Sequence, residues 1–79
     1  MEQLINKLAK IHPLQISTIH DGKIISVTYQ NGYIKDGCVL IGAYGIGDTV
    51  NTAVENYYRQ ISGKQIVIDK TPRKTFYVV

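Results

Sequence analysis

The stretch "LQISTIHDGKIISVTYQ", residues 14–30, constrains the fold more than any other part of the chain. Asp21-Gly22 stands between two runs rich in β-branched and aromatic residues, and Asp-Gly in that setting is the strongest short hairpin signal, with Gly22 accepting the positive φ of a type I′ turn. A two-residue loop sets the register. His20 then faces Lys23, Thr18 faces Ile25, Ile16 faces Val27 and Leu14 faces Tyr29, all on one side of the ribbon. That side is apolar away from the turn. The other carries Gln15, Ser17, Ser26 and Thr28, interrupted by Ile19 opposite Ile24, so one face is expected to meet a core and the other water.

What surrounds the hairpin must supply that core. Leu4, Ile5, Leu8 and Ile11 fall at helical spacing and Pro13 bars continuation, which predicts a short amphipathic helix over residues 2–11. "NGYIKDG", residues 31–37, holds two tight-turn dipeptides and reads either as a mini-hairpin or as a loop projecting between strands. The loop is preferred, because pairing Gln30 with Cys38 across it sets Val39, Ile41 and Ala43 beside Tyr29, Val27 and Ile25, with the third strand at residues 38–44. In residues 42–64, "GAYGIGDTVNTAVENYYRQISGK", glycines lead out of that strand into a helix whose apolar stripe is Val50, Ala53, Val54, Tyr57, Tyr58 and Ile61. Asp48 or Thr49 serves as N-cap and Gly63 as the stop. "KQIVID" and "KTFYVV" are two further strands around the basic loop Lys70 to Lys74. The expected class is α+β: one antiparallel sheet packed against helices, in the order α-β-β-β-α-β-β, as a single domain over residues 1–79.

Seventy-nine residues bury a small core, so association with further copies would add stability, and a homo-oligomer is expected. Cys38 has no partner for a disulfide and no His or Cys at metal-ligand spacing, which fits a reducing cytosol with the thiol as a small buried hydrophobe. No basic leader followed by an apolar run and no stretch near the roughly 20 apolar residues of a membrane span is present, so a cytoplasmic protein without membrane contact is expected. The net charge of +3 is lopsided: residues 59–79 carry +4 and residues 1–58 carry −1. The C-terminal quarter is the candidate basic patch.

Gly45-x-Gly47-x-Thr49, then Ala53, Tyr57, Ile61-Ser62-Gly63-Lys64, Val67, Arg73 and Tyr77-Val78 resemble a group of small uncharacterised proteins encoded by phages of Gram-positive bacteria, over about residues 38–78. That resemblance implies an early accessory factor acting in the host cytoplasm, of the class that blocks host defence by binding a protein or sequestering a nucleotide signal. Gly45, Gly47, Thr49 and Ala53 are also similar to the strand-turn-helix of the HicB antitoxin fold and of the double-stranded RNA-binding domain, which implies nucleic-acid binding. The RNA-binding domain places lysines at the start of that helix, whereas Val50, Asn51 and Thr52 follow Asp48 here.

No nucleophile with a partnered histidine is recognisable, and His12 and His20 lie about seven residues apart, more than about 20 Å along an extended strand, so a non-enzymatic protein without cofactor or metal is expected. Gly42, Gly45 and Gly47 match neither a dinucleotide fingerprint nor a Walker loop, and Asp48 would compete with a phosphate, so they are read as turning residues. Six tyrosines are many for this length, and adjacent Tyr57 and Tyr58 point about 100° apart, leaving one at the edge of any core. Tyr33, Tyr44, Tyr57 and Tyr58 are therefore candidate contacts for a host protein. Lys64, Lys70, Arg73 and Lys74, near Phe76 and Tyr77, are candidate contacts for a nucleotide or nucleic acid, the less favoured partner.

Overall fold

In the computed structural model, which describes residues 3–78, the elements are α1 (Leu4–Ile11), β1 (Leu14–Ile19), β2 (Ile24–Tyr29), β3 (Gly32–Asp36), β4 (Val39–Ile41), β5 (Gly45–Gly47), α2 (Val50–Ile61), β6 (Gln65–Ile68) and β7 (Lys74–Tyr77). The α+β class and the order of helix, strands, helix, two strands are as expected. Residue 2, assigned to the first helix from sequence, lies outside the described residues.

The hairpin register holds, with Leu14 opposite Tyr29, Ile16 opposite Val27 and Thr18 opposite Ile25. Its turn is wider than expected. His20, Asp21 and Gly22 all take positive φ (53°, 57° and 82°), so His20 and Lys23 belong to a four-residue loop instead of the ladder, closed by the Lys23 amide donating to the His20 carbonyl at 3.2 Å.

Of the third strand expected over residues 38–44 only Val39–Ile41 forms, as β4, and it does not pair with β2. Residues 32–41 fold back on themselves as the mini-hairpin β3–β4, with Gly37 at φ 63° and Asp36 opposite Val39. A tight local turn closes less chain than a long loop does and so wins at lower entropy cost. β3 also pairs with β6, and β6 with β7, which makes a second sheet in the order β4-β3-β6-β7. The partner of β2 is then β5, Val27 facing Gly45 and Ile25 facing Gly47, in the sheet β1-β2-β5.

Gly45 and Gly47 thus belong to a strand that lies against a helix and not to a turn, while Gly42 stands in the segment between β4 and β5. A Cβ on Gly45 would collide with the Ala53 carbonyl oxygen and the Tyr57 nitrogen, and one on Gly47 would stand 2.7 Å from the Ala53 nitrogen. Missing side chains let α2 lie directly on β5. The edge of β5 is covered by the polar face of the same helix: the Ile46 amide donates to Asn56 Oδ1 (3.2 Å), and Gln60 Nε2 donates to the Tyr44 carbonyl (2.9 Å).

The core joins both sheets and both helices, with Leu8, Val27, Tyr29, Ile34, Ala53, Val54, Tyr57, Ile61, Ile66, Ile68 and Val78 buried together. Of the two cap candidates, Thr49 is the N-cap, its hydroxyl accepting from the Thr52 amide at 3.1 Å, while Gly63 at φ 76° ends the helix. Replacing Thr49 by Ala should lower stability by about 1 kcal/mol, and Asp48→Ala by much less, as read from paired thermal melts. Cys38, expected in the core, is exposed beside the β3–β4 turn.

Candidate binding surface

Segment 42–44 crosses between the two sheets and is flanked by a groove on either side. The larger, about 600 Å³, is lined by Ile41, Gln60, Lys64, Gln65 and Tyr77 among others, with Lys35 and Asp36 at its rim. The smaller, about 340 Å³, lies between Gln15, Thr28, Tyr33 and Tyr44. Both are bounded by Gly42 and Ala43. The crossing segment is tethered from below by Thr28 Oγ1 donating to the Ala43 carbonyl at 2.8 Å, so its aromatic neighbours sit on held backbone.

Strand alternation decides which side chains reach this surface. Ile34, Ile66 and Phe76 align across the second sheet and point to the core, so Tyr33, Val67 and Thr75 align on its outer face, with Gln65 opposite Tyr77 one step further along. Tyr77 is 63% exposed, Tyr44 57% and Ile41 44%. Val67 is 4% exposed yet stands outside the core cluster, because its neighbours on the outer face cover it.

The four candidate tyrosines therefore separate. Tyr33 and Tyr44 border the smaller groove together. Tyr57 does not reach solvent: it is 2% exposed, and its hydroxyl accepts from the buried Tyr29 amide at 3.1 Å, a donor with no strand beside it. A partner-contact role for Tyr57 is removed by that burial. Tyr58 is half-buried at the helix edge with the Lys7 ammonium 5.5 Å from its ring centre, so it serves the α1–α2 seam.

The four basic candidates separate as well. Lys64 lines the larger groove, at the end of the second sheet where α2 exits. Lys70, Arg73 and Lys74 sit at the β6–β7 loop, at the opposite end of those strands. Two of those cations have intramolecular work: Arg73 pairs with Asp69 at 3.0 Å, and Lys74 Nζ donates to the Ile11 carbonyl at 2.8 Å, closing the C-terminus of α1. Lys70 is exposed at the loop tip. The basic quarter read from the sequence is thus two sites and not one patch.

From sequence, Tyr77 stands among the residues of the phage-protein resemblance and beside the basic loop, and its place at the groove went unassigned. The available signal was the alternation in "KTFYVV", since Phe76 facing in requires Tyr77 facing out. Exposed Ile41 had no such signal, because it depended on the third strand being placed correctly.

Among the described residues no three of His, Cys, Asp and Glu gather as a metal site, and no helix is long and apolar enough to cross a membrane. Burial and the neighbouring Tyr57 push the Tyr29 phenol well above its ordinary value, so it stays protonated and donates to the Leu8 carbonyl at 2.9 Å. No protein-family model, curated protein or solved structure matches the chain.

Proposed function

We propose that this chain is a non-catalytic binding protein of the phage accessory kind, which antagonises a host factor by covering a surface of it with Tyr33, Tyr44, Tyr77 and Ile41. The observation that carries the reading is the grouping of three exposed tyrosines on strands and a tethered crossing segment, around two grooves that share Gly42 and Ala43. Tyrosines on held backbone bring large contact area at small entropy cost, as hot-spot residues do. A small nucleotide signal is the variant partner: Lys35 and Lys64 would meet its phosphate and Tyr77 its base, at the larger groove.

The test starts from natively purified protein, whose mass by light scattering and 260/280 absorbance ratio distinguish bare protein from a nucleotide or nucleic-acid complex. Bacterial lysate is then offered to wild type and to Tyr33→Ser, Tyr44→Ser and Tyr77→Ser, each checked for fold by circular dichroism. Each substitution should weaken capture of a stoichiometric partner at least about tenfold, equivalent to about 1.4 kcal/mol. Equal capture by all folded variants, or capture of nothing, defeats the proposal.

A second reading, a nucleic-acid module of the HicB or RNA-binding-domain type, draws on exposed Tyr33, Tyr77, Lys35 and Arg73 sharing the outer face of the second sheet. It requires affinity that falls with salt and falls again in Lys35→Ala and Arg73→Ala. Lys74→Ala is unsuitable as a probe, since it also removes the contact with Ile11.

A further inference from the structure

A strand at the edge of a sheet presents unpaired amides and carbonyls, and proteins shield such edges by covering, shortening or charging them. Among the described residues the two sheets have four edges, and three of these are shielded. β5 is covered by Asn56 and Gln60. β4 has three residues between the Gly37-Cys38 turn and Gly42. β7 begins on Lys74, and just past its end the Val78 carbonyl accepts from the Gly63 amide at 2.7 Å.

β1 has none of these devices. Its six residues, LQISTI, carry no charge and no proline, and all but Leu14 are exposed. The Gln30 amide donates to the Pro13 carbonyl at 3.1 Å, so in the alternating antiparallel ladder the pairs facing β2 are 15/28, 17/26 and 19/24. The amides and carbonyls of Leu14, Ile16 and Thr18 consequently point away from β2.

We propose that β1 is the two-fold interface of a homodimer, in which the β1 strands of two copies pair antiparallel about Ile16. Ile16 then lies opposite Ile16 of the second copy, and Leu14 opposite Thr18, so all three outward residues of each strand are satisfied together. Registers centred on Gln15 or Ser17 align only two of the three. Ile16 is 46% exposed although it shares the core-facing side with Val27, because α2 lies over β2 and β5, and in the dimer the two isoleucines cover each other.

Three arguments select a second copy as the occupant. The seam is uncharged in a chain of net charge +3, so two copies meet there without repulsion. The joined sheet would run β5-β2-β1-β1-β2-β5, ending on edges that Asn56 and Gln60 already cover, so assembly closes at two instead of growing into a fibre. The buried strip is a single strand about 20 Å long, too narrow to reach the roughly 1,200–2,000 Å² of a standard interface, so the association is expected to be weak and concentration-dependent, in the micromolar range, and not an obligate dimer. The seam rests on the outward backbone of Leu14, Ile16 and Thr18 and adjoins the tyrosine surface at Gln15 alone, on the other face of β1, so the dimer stands whether or not the proposed function does, and it would make that surface bivalent.

Sedimentation and light scattering from about 10 to about 500 µM, bracketing a micromolar Kd, should show monomer passing to twice its mass. Over the same range, NMR-detected hydrogen exchange should slow at least about tenfold at the amides of Leu14, Ile16 and Thr18. Ile16→Pro removes one outward amide and leaves the β2-facing amides of Gln15, Ser17 and Ile19 in place, so a folded monomer is expected. Thr18→Lys, which puts two charges near the seam without touching the backbone, should give the same. A chain monomeric at the highest concentration, a dimer whose three amides exchange unchanged, or a dimer that survives both variants would overturn the proposal.

Discussion

Gly45→Ala should abolish the folded state at 25 °C, seen as loss of the cooperative melting transition and of near-ultraviolet circular dichroism. The added methyl would meet the Ala53 carbonyl and the Tyr57 nitrogen, which are backbone atoms of a buried helix and have no rotamer through which to withdraw. Ordinary overpacking costs about 1–3 kcal/mol where side chains can shift; here α2 must lift as a unit from β2 and β5, and a domain of this size has only about 3–5 kcal/mol to lose. Two other glycines supply controls for the cause. Gly42→Ala places its methyl 3.8 Å from the Tyr33 ring, an ordinary contact, and should change stability by no more than about 0.5 kcal/mol. Gly22→Ala meets nothing within 4 Å but sits at φ 82°, so it should cost about 1–2 kcal/mol through backbone strain alone. A well-folded Gly45→Ala protein would mean that β5 does not lie against α2.

The second large effect is at Tyr29, which ties three elements together. It is 1% exposed, its phenol donates to the Leu8 carbonyl of α1, its amide donates to the Tyr57 hydroxyl of α2, and its ring meets the Phe76 ring of β7 edge-on at 5.5 Å. Tyr29→Ala should cost about 3–5 kcal/mol, enough to unfold the chain. Tyr29→Phe keeps the rings in place and should cost about 1 kcal/mol for the lost bond to Leu8. Alkali distinguishes the two proteins further. The folded phenol holds its proton above the ordinary value of about 10, so the folded state binds more protons than the unfolded state above that pH. Its stabilising effect is complete below about pH 10 and declines as pH rises beyond it. Denaturant melts from pH 8 to 11 should therefore show wild type losing stability faster than Tyr29→Phe in the last unit, and parallel curves would refute the assignment.

The chain's local signals were legible where a single residue's chemistry decides the outcome. Asp21-Gly22 and the alternation around it set the hairpin register, Pro13 ended the first helix, and Thr49 and Gly63 bounded the second. Reading failed between residues 31 and 47, because two closures were compatible with the pattern and the choice rested on partners far along the chain. Placing the third strand at 38–44 made an apolar row with β2, yet β3 gains β6 as a neighbour when it folds back on β4, and that pairing spans more than thirty residues. Apolar alternation reports that a strand has a buried face. It carries no label for the strand that will share it.

The same limit applied to the candidate site. That one of Tyr57 and Tyr58 would sit at an edge followed from helical geometry, but which one depended on α2 docking by its Gly45 side, where Tyr57 reaches the Tyr29 amide. Basic residues close in sequence were read as one patch, whereas β6 and β7 carry Lys64 and the 70–74 loop to opposite ends, and Asp69 and Ile11 engage two of the cations. By itself the amino-acid order determined the two helices, the first hairpin and the α+β class, since each arises from contacts among residues a few positions apart. Tertiary structure alone decided that Gly45–Gly47 is a strand, that the strands form two sheets, and that Tyr33, Tyr44 and Tyr77 border neighbouring grooves. Those outcomes depend on which surfaces meet across the whole chain, and a glycine that permits a turn is, in sequence, indistinguishable from one that admits a helix.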